Sequence, residues 1–100
     1  MIDYIKSNLN EKMNIHGLSD KACMSKATFY RLFKRELGVS PNDFILSEKI
    51  SKAKQLLSNP SAKVAAISYE LGFSDANYFI RTFKKLVGVT PGNYQLKFRH

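Results

Sequence analysis

The sequence predicts an all-α fold of seven helices, arranged as two helix-turn-helix subdomains joined by a long central helix. Three observations predict it. A stretch of seventeen residues recurs 50 positions later, each copy ends in the same Gly-Val-Ser/Thr-Pro sequence, and a glycine-free stretch with helical patterning lies between the copies. The expected division is a first unit over 1–40, a linker helix over 41–58 and a second unit over 59–100.

Taking the elements in order, Ile2, Ile5 and Leu9 share a helical face and predict a first helix packed on unit one. Leu18 to Met24 (LSDKACM) is a short apolar segment ending in a turn, in which Cys23 stands where glycine would be less strained. Ser25 to Pro41 (SKATFYRLFKRELGVSP) then begins the repeat. Laid over Asp75 to Pro91 (DANYFIRTFKKLVGVTP), it is identical at seven of seventeen positions: Phe29 with Phe79, Arg31 with Arg81, Phe33 with Phe83, Lys34 with Lys84, Gly38 with Gly88, Val39 with Val89 and Pro41 with Pro91. Such a duplication makes two copies of one supersecondary unit.

Within the first copy, Phe29, Leu32, Phe33 and Leu37 follow the spacing of one buried helical face, as Phe79, Phe83 and Val87 do in the second. Ser25 and Ser74 are the expected N-caps, and Gly38 and Gly88 the expected left-handed stops. Ser40-Pro41 and Thr90-Pro91 place a cap and an N1 proline at the start of the next helix. Pro41 to Leu57 reads as one helix, about 25 Å long at about 1.5 Å per residue, and Asn59-Pro60 ends it. Ile67 to Phe73 (ISYELGF) falls in a helix expected to begin near Ser61. These leading segments align at an offset of 49, so unit two has one extra residue in its turn, for which Gly72 is well suited. Tyr94, Leu96 and Phe98 predict a last helix packed on unit two.

Composition narrows the function. The apolar fraction of 44% is ordinary for a packed chain. No segment has the roughly 18 apolar residues of a membrane span, and the N-terminus lacks a signal-peptide layout. A cytoplasmic location is therefore expected. Cys23 is the sole cysteine, so no internal disulfide forms; a small buried residue is expected there, and His16 is a weak candidate for a base that would make it a nucleophile. With only His16 and His100 beside it, no metal or cofactor is expected. Paired carboxylates, a Ser/His/Asp set and a phosphate-cradling glycine loop are also lacking, so an enzyme is not expected.

The net charge of +8 points to a polyanion. It is unevenly spread, with +3 over 25–41 and +2 over 75–91, whereas 1–24 and 59–74 each sum to zero. Turning the apolar face of each repeated helix inward leaves Ala27, Tyr30, Arg31 and Lys34 on the opposite face of the first, and Ala76, Asn77, Ile80, Arg81 and Lys84 on that of the second. Arginine can donate two bonds to guanine, asparagine can pair with adenine, and small apolar groups can meet the thymine methyl. Lys26, Lys34, Arg35, Lys84 and Lys85 suit phosphates, which position without specifying. One basic helix face by itself is usually a solvated face, and Ile80 could equally pack inward. Two repeated faces with the same arginine, joined by a rod, favour double-stranded DNA. A membrane surface is disfavoured because the apolar faces are used by the core.

Ile67 to Tyr94 (ISYELGFSDANYFIRTFKKLVGVTPGNY), with a weaker match over Met24 to Pro41, resembles the DNA-binding domain of the AraC/XylS family of bacterial transcription regulators. The resemblance covers essentially the whole chain. It implies two recognition helices, about 25–37 and 75–87, entering successive major grooves roughly 34 Å apart. It implies base reading by Ala27, Tyr30 and Arg31 in unit one and by Ala76, Asn77, Ile80 and Arg81 in unit two, with Arg31 and Arg81 foremost. Promoter or operator DNA and RNA polymerase are the implied partners, and the isolated domain is expected to be a monomer. Most relatives attach a further domain, so an excised C-terminal domain is the expectation. Four positions depart from the family: Ala27 is often larger, Ser68 replaces an alanine, and Lys49 and Gln95 stand where arginine is frequent. A protein-interaction module using the same faces is the alternative.

Overall fold

The computed structural model describes residues 1–11 and 13–98; Lys12, Arg99 and His100, counted in the charge and histidine inventories, lie outside the described residues. The described chain forms seven helices: α1 (Ile2–Ser7), α2 (Ile15–Lys21), α3 (Lys26–Leu37), α4 (Pro41–Leu57), α5 (Val64–Glu70), α6 (Ala76–Val87) and α7 (Pro91–Leu96). No strand occurs among the described residues. The molecule is elongated, 49 × 22 × 21 Å.

The repeat is visible in the bounds themselves. α3 and α6 each have 12 residues and start 50 apart, and α2 and α5 each have 7 residues and start 49 apart. Between short and long helix the chain makes the same left-handed turn twice. Cys23 (φ 57°) and Gly72 (φ 78°) occupy it, the N–H groups of Cys23 and Met24 donate to the carbonyls of Asp20 and Ser19, and those of Gly72 and Phe73 donate to Tyr69 and Ser68. The extra residue of unit two is therefore Ser74, lying between this turn and the next helix. That corrects the expected cap: Asp75 caps α6, its Oδ1 accepting from the Tyr78 N–H at 2.7 Å, while Ser25 caps α3 as expected.

Both 12-residue helices, α3 and α6, stop on a left-handed glycine. The Gly38 and Gly88 N–H groups donate to the Lys34 and Lys84 carbonyls, after which Ser40 and Thr90 cap α4 and α7 with proline at the helix start. These three devices need only local chemistry, which is why they repeat so faithfully.

Two apolar clusters form the core. Ile5, Leu18, Phe29, Phe33 and Ile45 make one; Ile50, Ala53, Leu57, Ile67, Leu71, Phe73, Phe79 and Phe83 make the other. Helix α4 serves both, giving Ile45 to the first and Ile50, Ala53 and Leu57 to the second. Leu32 and Leu37 are only half-buried.

Four further expectations are corrected. α5 begins at Val64 rather than near Ser61, because the Asn59 side chain accepts the Ser61 N–H and the Asn59 carbonyl accepts the Ala62 N–H, folding this stretch into a turn. Leu9 packs on the first cluster from beyond the end of α1. On α7 the buried residues are Pro91 and Gln95, with Tyr94 half-buried, and Leu96 is 53% exposed because α7 is one short turn that can hide a single face. Cys23 is exposed instead of buried: its place is set by the backbone turn, which points its side chain outward.

Candidate nucleic-acid interface

The packing of each repeated helix decides which side chains remain available. On α3, burial of Phe29 and Phe33 leaves Lys26, Ala27, Tyr30, Arg31, Lys34 and Arg35 exposed. On α6, burial of Phe79, Thr82 and Phe83 leaves Asn77, Arg81, Lys84 and Lys85 exposed. Ala76 is half-buried, and Ile80 is half-buried against the second cluster, so its apolar packing and its outward face share one side chain.

Caps set the start of both faces. The Ser25 hydroxyl accepts from the Thr28 N–H at 3.2 Å and donates to the Thr28 hydroxyl at 2.9 Å, opening α3 just before Ala27. Asp75 opens α6 just before Ala76 and Asn77, and the Ser68 hydroxyl reaches back to the Asp75 carbonyl at 3.5 Å. Ser68, where the family pattern has alanine, thus sits buried between the short helix and the start of the long one. Ser19, its counterpart in unit one, is equally buried but donates within its own helix to the His16 carbonyl at 2.9 Å.

The cations are largely uncommitted. Among the described residues, Lys26, Arg31, Lys34, Arg81, Lys84 and Lys85 form no ion pair; Arg35 has one loose contact, 3.7 Å to its neighbour Glu36, with both side chains mostly in water. A pair so exposed contributes little. The Lys34 ammonium lies 6.0 Å from the centre of the Tyr30 ring, so two exposed members of the α3 face are neighbours. Arg81 and Lys85 border a groove whose far wall, Val39, Asp43 and Leu46, comes from the turn before α4 and from α4 itself. Two cationic helix faces with the same register, in which cations outnumber the nearby carboxylates Glu36, Asp43 and Asp75, can neutralise a polyanion along two stretches.

Three residues have surroundings that their sequence positions do not reveal. Lys49 and Gln95 are buried polar residues with partners far away in sequence. Tyr69 is 86% exposed on α5, with its neighbours Ile67, Ser68 and Leu71 turned inward. The position of Tyr69 between buried residues on a short helix was the available signal. Elsewhere, His16 pairs with Asp20 at 3.5 Å on the surface. Among the described residues no group of His, Cys, Asp and Glu is arranged to hold a metal, and no helix is long and apolar enough to cross a membrane.

A profile of the family described as "Helix-turn-helix domain" matches residues 18–97. The arabinose operon regulatory protein of Escherichia coli (strain K12) is 32% identical over 93 residues, covering 92% of this chain and 32% of that protein. The chain spans 30 to 39% of the length of several curated relatives, among them the probable transcriptional regulator LumQ of Photobacterium leiognathi. Among solved structures, the C-terminal domain of the two-component response regulator yesN from Fusobacterium nucleatum has a TM-score of 0.89 at 32% identity, with 93% of this chain and 91% of that one covered. The DNA-binding domain of AdpA, solved in complex with a target DNA, has a TM-score of 0.93 at 23% identity, covering 98% and 88%, and is a likeness of fold. With its duplicated helix-turn-helix units, its two exposed cationic helices and a profile match over most of its length, the chain belongs to the AraC-type helix-turn-helix family of DNA-binding domains of bacterial transcription regulators.

Proposed function

We propose that the domain reads double-stranded promoter or operator DNA by placing α3 and α6 in successive major grooves on one face of the duplex. The observation that carries this is the pair of exposed faces in matched register, each with an arginine and lysines free of ion pairs among the described residues. Arg31 and Arg81 are the principal base readers, donating to guanine, with Asn77 positioned for adenine. Ala27, Tyr30 and Ala76 border the same faces, and Ile80 offers its outer methyl groups to thymine. Lys26, Lys34, Arg35, Lys84 and Lys85 hold phosphates. The proposed organisation is a first unit over 1–40, the linker helix over 41–58 and the second unit over 59–100. A monomer with two reading helices of its own occupies a whole site, acts in the cytoplasm, and contacts RNA polymerase as a transcription regulator does. The domain is a DNA-binding module and not an enzyme.

Selection of bound sequences from a random duplex library, followed by titration of the winner at rising salt, tests the proposal. The expected site is asymmetric, with two short elements about 10 base pairs apart. Five phosphate contacts give a slope of about −4.5 in log affinity against log salt, at about −0.9 per phosphate. Weak binding with no recovered sequence would overturn the base-reading assignment and favour a protein partner for these faces.

A further inference from the structure

Helix α4 gives residues to both apolar clusters, and Lys49 lies on it between Ile45 of the first cluster and Ile50 of the second. The residue is 5% exposed, among the most deeply placed cations of the chain. Its ammonium donates to the Glu11 carbonyl at 2.9 Å, in the loop after α1, and to the Leu71 carbonyl at 2.6 Å, at the C-terminal end of α5. The negative end of α5 favours a cation there. The same ammonium lies 5.5 Å from the centre of the Phe73 ring. One side chain on the linker thus grips the backbone of both units.

The backbones also touch beside it. A Cβ on Gly72 would come within 3.0 Å of the Asn10 oxygen and of the Glu11 carbonyl group, so at this point unit two lies against unit one more closely than any other residue allows. The contact is polar and small. Polar bonds are directional, unlike apolar packing, and these fix one relative orientation of the two units about α4.

We propose that Lys49 is a positioning residue that sets the angle between α3 and α6, and hence the spacing between the two DNA elements the domain accepts. This rests on the reading of α3 and α6 as the DNA-reading helices. The geometry makes spacing sensitive to the clasp: a rotation of about 10° at the middle of a molecule this long displaces its ends by about 4 Å, comparable with the ~3.4 Å rise of one base pair. Lys49 touches no DNA in this arrangement and acts through the units it joins.

The test uses the whole chain with Lys49→Met and Lys49→Arg, against the selected duplex, the same duplex with its spacing changed by one base pair either way, and duplexes keeping a single element. The wild type is expected to lose about tenfold in affinity on a spacing change. Lys49→Met is expected to reduce that preference to threefold or less while leaving single-element binding unchanged, and Lys49→Arg, which keeps donors for both carbonyls, to restore it. In parallel, spin labels on Cys23 and on Tyr69→Cys report the inter-unit distance, whose distribution should be narrow in wild type and broad in Lys49→Met. If Lys49→Met does not fold, Lys49→Gln replaces it, with one amide in place of the ammonium. A folded variant that keeps the wild-type spacing preference and a narrow distance distribution would overturn the proposal, whatever its melting temperature. A wild type indifferent to spacing, yet with a distance distribution that broadens in the variant, overturns the two-groove reading and its spacing consequence together while leaving the clasp in place.

Discussion

Unit two carries an unbroken run of aromatic contacts, from Phe73 to Phe79 at 5.1 Å, on to Phe83 at 5.9 Å, Tyr94 at 5.5 Å and Phe98 at 5.7 Å. Unit one has two rings in contact, Phe29 and Phe33, joined by Phe44 from α4, each step 5.6 Å. The turn differs in the same direction. Phe73 is 7% exposed after a glycine turn, whereas its counterpart Met24 is 39% exposed after a cysteine held at positive φ. Helix bounds and cationic faces have nevertheless kept their register. A duplicated unit can thus diverge in core quality while the surface it presents stays matched, because caps and glycine stops set the register locally and packing sets only its strength.

Core truncation should separate the units most. Phe83→Ala removes a fully buried ring at the centre of the aromatic run, and about 4 to 5 kcal/mol of stability is expected to go with it; Phe33→Ala in the smaller cluster should cost about 3 kcal/mol. Urea unfolding gives both numbers, and a reversed order would break the comparison. The turns come next. Gly72→Ala meets both the left-handed backbone and the Asn10–Glu11 chain, so a loss of about 3 kcal/mol is expected, while Cys23→Ala at the matching turn should change stability by less than about 0.5 kcal/mol.

For DNA, Arg31→Ala and Arg81→Ala should each weaken binding by about 1 to 3 kcal/mol with no change in melting temperature, since both side chains are exposed. With Asn77 beside it, the α6 face should read more bases than the α3 face, where Ala27 stands, so specificity should relax over more positions when α6 is altered. Equal relaxation from both would erase that asymmetry. A smaller effect distinguishes the caps: Ser25→Ala should cost about 1 kcal/mol of stability, while Asp75→Asn keeps an N-cap acceptor, costs little, and removes a negative charge from the start of the α6 face. Tighter DNA binding by Asp75→Asn in low salt is the expected readout. Least of all, Cys23→Gly should stabilise by about 0.5 kcal/mol, relief of the left-handed strain being partly offset by the greater freedom of glycine in the unfolded chain. A thermal scan should resolve the sign.

Features with local causes were legible in the sequence. Gly38, Gly88, Pro41, Pro91 and the one-residue lag of the turn are each visible in a few consecutive residues, and the helices they bound lie where the repeat predicts. Ser74 and Ser61 misled for one reason: each is a plausible cap by type, but the backbone nearby was already committed, to the turn closed by Phe73 and to the bonds of Asn59. Lys49 and Gln95 were read as departures from a family pattern. Their partners, Glu11 and Leu71 for one, Asn59 and Ala62 for the other, lie 22 to 38 residues away and no period of the sequence points to them. The exposed faces of α3 and α6 followed from helical spacing alone; the half-buried state of Ile80 did not, because it depends on what α6 packs against.

Gln95 has a consequence of its own. Its side-chain amide donates to the Asn59 carbonyl at 3.0 Å and the Ala62 carbonyl at 2.7 Å, tying the last helix of unit two to the turn that begins it. Fifty residues earlier the equivalent position is Ile45, an apolar core residue without such a bond. As a result α7 cannot peel away without releasing the two carbonyls of the turn that leads into α5. In amide hydrogen exchange the two segments should therefore open as one cooperative unit, the C-terminal turn being protected to the level of a helix that precedes it by some thirty residues.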